Sequence, residues 1–112
     1  MGLKTNSYVS KTLGVTLPTA YAVLSTLIVE KDNRVRAIFS IQNTRENTQV
    51  LAPIDKVEIN FVWDRLVNPV EKAYELARTE IKEVETFNDK GEVVIEKVNG
   101  VLYGWDNDIV GE

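Results

Sequence analysis

Between residues 34 and 43 the side chains alternate almost without fault. Val35, Ala37, Phe39 and Ile41 fall on one side of an extended chain and Arg34, Arg36, Ser40 and Gln42 on the other, with Ile38 the exception. A period of two belongs to a half-buried strand and fits no helix. Residues 20–29 before it are apolar on both sides, as in a central strand covered above and below. Lys31-Asp32-Asn33 separates the two runs, and Asp and Asn both accept the left-handed backbone of a tight turn. Residues 19–43 therefore predict a long β-hairpin on which the rest of the chain must be laid.

A second alternation follows at 56–63. Val57, Ile59, Phe61 and Trp63 face one way, and Lys56, Glu58, Asn60 and Val62 the other. If this strand neighbours the first, Glu58 is the natural partner of Arg34 or Arg36. A helix should then begin at Asn68-Pro69, a good cap followed by a proline at the position where its missing donor costs nothing, with Glu71 three residues after the cap. Val70, Ala73, Tyr74, Ala77 and Ile81 form its single apolar stripe.

Elsewhere the signals are shorter. Residues 3–9 and 12–17 are weakly β-prone, with a bend at Gly14 and a stop at Pro18. Residues 43–48 read as a polar loop. Residues 82–87 and 93–98 read as strands around the turn Asn88-Asp89-Lys90-Gly91, unless the helix persists to about Glu85. Asn99-Gly100 is a second turn, 101–105 a final short strand, and 106–112 an acidic, frayed tail apart from Ile109 and Val110. The expectation is an α+β, mainly β fold: an antiparallel sheet, or a small sandwich or barrel, built on a long hairpin with one short helix packed on it. Residues 1–112 form one domain, with 82–98 as a candidate inserted hairpin and 106–112 as a flexible tail.

Composition narrows the chemistry. The chain has no cysteine and no histidine, which removes thiolate catalysis, disulfides, the commonest general base and the commonest metal ligands. Its 17 acidic and 13 basic residues give a charge of −4 with no basic cluster, which disfavours a nucleic-acid surface. Asp106, Asp108 and Glu112 resemble the start of a calcium loop, but Val110 stands where the fifth-position ligand belongs. No glycine-rich phosphate loop, nucleophile elbow or carboxylate pair in an apolar setting is present. The expectation is no enzyme, no catalytic residue, no metal and no cofactor. No apolar run reaches the ~20 residues of a membrane span, and residues 1–10 lack the apolar core of a signal peptide. A protein that stays where it is made, or leaves by assembly or lysis, is expected.

Aromatic residues are the remaining candidates. Trp63 and Tyr74 share the apolar faces of their elements and should be core. Trp105, beside Gly104 and ahead of acidic residues, suits core and interface equally. Together with Ile109 and Val110 it forms the candidate interface, because large apolar groups in a solvated tail gain most by docking against a neighbour.

Leu17-Pro18-Thr19-Ala20-Tyr21-Ala22, Ala73-Tyr74, Tyr103-Gly104-Trp105 and Asp108-Ile109-Val110 resemble small late-gene structural proteins of phages and prophages of Gram-positive bacteria. The resemblance spans most of the chain and is weakest at 82–98. It implies a tail, neck or baseplate-type virion component, assembled in the bacterial cytoplasm and copied many times in a ring or tube, whose partners are copies of itself or other phage structural proteins. It assigns no functional residue. Two other readings stand beside it: a carbohydrate-binding or host-recognition module, which would need Trp105, Tyr103 and Tyr8 exposed together, and a small inhibitor or regulator of a host protein.

Overall fold

The computed structural model describes residues 2–108. In chain order its elements are β1 (Gly2–Thr5), β2 (Tyr8–Val9), β3 (Thr16–Leu17), β4 (Ala20–Val29), β5 (Arg34–Gln42), α1 (Arg45–Val50), β6 (Asp55–Val62), α2 (Pro69–Thr79), β7 (Ile81–Phe87), β8 (Val93–Asn99) and β9 (Asp106–Asp108). Both alternating stretches pair as their pattern requires. β4 and β5 make the long antiparallel hairpin, turning at Asn33 (φ 64°), and β6 lies along the far side of β5. With β1 beside β4 and β9 beside β1, the main sheet runs β6-β5-β4-β1-β9 and is antiparallel throughout. The fold is thus α+β and mainly β, and the sheet does not close into a barrel.

One face of this sheet carries the core. Leu3, Ala22, Ala37, Phe39, Ile41, Val57 and Ile59 are buried there, with Leu24, Leu27 and Phe61 packed at the margin. The other face is largely wet, which corrects the expectation that β4 is covered above and below. Only Ala20, Tyr21 and Ala22 are buried; the rest of the strand is half-buried or exposed. The cause is a bulge between Leu24 and Thr26, after which the pairing resumes as Thr26↔Ile38 and Leu27↔Ala37. A bulge resets which side each residue faces. Leu24 and Leu27 both stay inward as a result, and an apolar run that looks two-faced serves one face.

α2 packs on the core face. Asn68 caps it by accepting hydrogen bonds from the amides of Val70 (2.9 Å) and Glu71 (3.4 Å), with Pro69 in the first turn. Such a cap contributes about 1 kcal/mol. Ala73, Tyr74 and Ala77 are buried as the stripe requires. Its two ends, Val70 and Ile81, are 38% and 52% exposed, because Val70 sits in the first turn and the helix has stopped at Thr79 before Ile81. The Tyr74 ring stands edge-on to Phe39 at 5.0 Å, and its hydroxyl accepts from the Leu24 amide beside the bulge at 2.9 Å.

A second polar knot ties the N-terminal arm to β6. Asp55, the first residue of that strand, accepts from the Tyr8 hydroxyl (2.5 Å), the Ser10 hydroxyl (2.9 Å), the Thr12 hydroxyl and the Thr12 amide (3.3 Å). Partial burial alone would raise the Asp55 pKa, but the hydrogen bonds from Thr12, Tyr8 and Ser10 outweigh it and hold the carboxyl below its usual range. Burial and the facing carboxylate push the Tyr8 hydroxyl upward.

Three local expectations are corrected. Residues 43–48 are not loop throughout: α1 forms at 45–50, capped by Thr44, whose hydroxyl accepts from the Asn47 amide (3.2 Å). It buries none of its residues, so it has no apolar period to read, and the fold has two helices where one was expected. Residues 101–105 are a turn and not a strand. Residues 106–108 are strand β9 and not a frayed tail, because their backbone pairs with β1.

Tyr74→Ala should cost about 3 to 5 kcal/mol, the range for deleting a buried aromatic ring, and Tyr74→Phe about 1 kcal/mol for the lost hydroxyl contact. Urea midpoints at constant slope measure both. Asp55→Asn should cost about 2 kcal/mol at neutral pH, since its partners lose a charged acceptor. The folded carboxyl titrates below its unfolded value, so its contribution is present above pH ~4 and fades as pH falls through the folded pKa. Wild-type and Asp55→Asn stabilities should therefore converge in acid, which melting curves between pH 7 and pH 3 will test.

Candidate interaction surface

A helix ends with carbonyls that have no partner inside it. In α2 the returning chain supplies partners: the Gly104 amide donates to Arg78 O (2.9 Å) and the Gly100 amide to O of the capping residue Glu80 (2.8 Å), while the Arg78 side chain donates in turn from Nε to Trp105 O (2.7 Å). Both contacts favour glycine. A Cβ on Gly100 would stand 2.6 Å from Glu80 Oε1, and Gly104 has φ +75°. The chain thus leaves the body at Glu80 and rejoins it at Gly100. The ribbon β7–β8 between them is an excursion whose strands are hydrogen-bonded to each other and not to the main sheet. This is the hairpin that the sequence placed at 82–98, one residue longer at each end.

The turn of this ribbon is held by Asn88, whose side chain accepts from the amides of Lys90 (2.9 Å) and Glu92 (3.0 Å). Its register pairs Phe87 with Val93, Glu85 with Ile95, Glu83 with Lys97 and Ile81 with Asn99 on one face, and Thr86 with Val94, Val84 with Glu96 and Lys82 with Val98 on the other. Both faces are open. Phe87 is 75% exposed, Ile95 61% and Val93 59%; Ile81, Val84, Val94 and Val98 are exposed as well. A water-soluble domain rarely leaves so many large apolar groups together on one projection.

The expected interface lies elsewhere in part. Trp105 is 5% exposed, edge-on to Tyr8 at 5.5 Å, and belongs to the core of its own chain. The helix-capping turn draws it inward, so it is not free to dock on a neighbour. Ile109 and Val110 lie outside the described residues. Of the three aromatics a sugar platform would need, Tyr8 and Trp105 are buried and Tyr103 alone is exposed, at 41%. Trp63, expected in the core, follows the end of β6 and is half-buried, its indole N–H donating to Val67 O (2.8 Å) and its ring 5.5 Å from the Arg65 guanidinium.

A groove of about 380 Å³ opens at the far end of the main sheet, where the β4–β5 turn meets the end of β6. It wraps the sheet margin: Arg34, Arg36, Asn60 and Val62 line it from the wet side, Val35 and Phe61 from the core side, and Glu30 lies beside them. Arg36 reaches Glu58 at 2.7 Å, as expected from the sequence, and holds that carboxyl below its usual pKa. Arg34 pairs instead with Asp32 at 2.8 Å. Among the described residues no cluster of acidic side chains is arranged to hold a metal ion, and no helix is long and apolar enough to cross a membrane. The sequence missed the groove because it joins residues about 30 positions apart, and it undervalued the ribbon because an isolated hairpin has no core face to betray it. Compared with protein-family models, with curated proteins and with solved structures, the chain matches none.

Proposed function

We propose that this protein is a non-enzymatic structural or assembly subunit, acting through association with copies of itself or with neighbouring particle proteins. The observation that carries this reading is the projecting ribbon with large apolar side chains on both open faces. Two strands alone are marginally stable in water, so the ribbon gains most when something covers it. An absence of histidine and cysteine fits a protein that binds and does not turn over a substrate. The resemblance of residues 17–22, 73–74 and 103–105 to late structural proteins supports a phage or prophage particle as the assembly, with the subunit made in the bacterial cytoplasm and built into the virion.

Light scattering across protein concentration tests this. The wild-type mass should rise above the 12.6 kDa monomer as concentration increases. A variant in which residues 87–93 are replaced by Asn-Gly, a two-residue turn that rejoins the ribbon above Thr86 and Val94, should keep the wild-type fold by circular dichroism and remain monomeric. A wild type that stays at monomer mass at every concentration overturns self-association. A shortened variant that fails to fold makes the ribbon part of the core and not a docking arm.

A further inference from the structure

A strand at the margin of a sheet keeps half of its main-chain groups unpaired. β6 is such a strand, hydrogen-bonded to β5 alone. The Trp63 amide donates to Asn33 O one step beyond the Arg34↔Val62 pair, so the odd-numbered residues of β6 turn their N–H and C=O toward β5. Those of Lys56, Glu58, Asn60 and Val62 point outward, and none of them has a partner among the described residues.

Beside the first half of this edge lies a cleft of about 300 Å³. Lys56 and Glu58 reach it from the wet side of the sheet and Val57 from the core side, whereas no residue of β5 lines it. A hollow that touches both sides of one strand and not its neighbour runs along the strand's edge. Its opposite wall is Lys11 from the loop after β2, Lys82 from the base of β7 and Val101 from the turn after β8. Spread along residues 55–58, roughly 13 Å at ~3.3 Å per residue, the hollow is about one strand spacing across. It has room for a single extended chain, and its second wall keeps out the edge of another sheet.

Charge names the occupant. Both acids of the cleft are already engaged: Asp55 accepts from Tyr8, Ser10 and Thr12, and Glu58 from Arg36 (2.7 Å) and the Asn60 side chain (3.3 Å). The ammonium groups are not. Among the described residues Lys11 and Lys56 make no ion pair, and Lys82 meets Glu80 only at 3.7 Å. Three lysines thus converge on one cleft of a chain whose formal charge is −4. We infer that the cleft receives an extended acidic segment of a partner protein, added to β6 as a strand. Its backbone completes the ladder of Lys56 and Glu58, and its carboxylates meet the free ammoniums, which would repel a basic segment. This contact goes beyond self-association and stands whether or not the ribbon docks.

Amide spectra of the isotope-labelled protein test it with blocked peptides: the acidic Glu-Val-Glu-Val-Glu-Thr, its lysine-for-glutamate counterpart, and two acidic forms N-methylated at one or the other set of alternate residues. The acidic peptide should shift the Lys56 and Glu58 amides and slow their hydrogen exchange about tenfold. One methylated form should bind like the parent and the other about tenfold more weakly, because only one set can face β6. The basic peptide should bind about tenfold more weakly, and the double substitution Lys11→Glu, Lys56→Glu, its fold checked by melting curves, should reverse the preference. Equal binding of the two methylated forms overturns strand addition. Sodium acetate that shifts the same amides as far at equal carboxylate concentration makes the cleft a free-anion site and overturns it too. If no peptide binds at millimolar concentration, the lysines only guard a strand edge against pairing and the inference falls. Monomer mass in light scattering, by contrast, counts against self-association and not against this cleft.

Discussion

The last carbonyls of α2 meet the amides of Gly100 and Gly104, and Arg78 closes the same corner onto Trp105 O. Three features of the molecule depend on that corner. It swings Trp105 inward against Tyr8, and Tyr8 in turn donates to Asp55, so that the N-terminal arm, the C-terminal turn and β6 share one buried seam. It delivers Asp106–Asp108 to β1, where they become an edge of the main sheet. It also brings Glu80 and Gly100 together, so that the ribbon leaves and rejoins the body at one point. A side chain at 100 would crowd that of Glu80, and one at 104 would strain a backbone with φ +75°.

The helix and the central strands were legible in the sequence because each has a face to bury. Alternation at 34–43 and 56–63 marks the core side of β5 and β6 residue by residue, and Asn68-Pro69 with Ala73, Tyr74 and Ala77 marks α2. Where burial does not follow a simple period, reading fails. The bulge at Ser25 lets one face of β4 use residues three apart, which looks from sequence like a strand with two apolar faces. α1 buries nothing and leaves only the Thr44 cap as a signal. Trp105 looked like a tail residue because its partners, Arg78 and Tyr8, are 27 and 97 positions away. The ribbon's strands and turn are legible, but its acids suggest a solvated projection, and only the register shows that Phe87, Val93 and Ile95 gather at one end of one face.

Those acids also bear on how such a surface avoids indiscriminate association. Free ribbon edges and exposed apolar strands invite indiscriminate pairing, and charged residues placed among them are the usual protection. Here Glu96 stands across from Val84, Glu85 across from Ile95, and Glu92 immediately before Val93, so carboxylates stand among the apolar side chains on both faces of the ribbon. Charge placed this way discriminates against the indiscriminate pairing that the exposed valines and phenylalanine would otherwise favour.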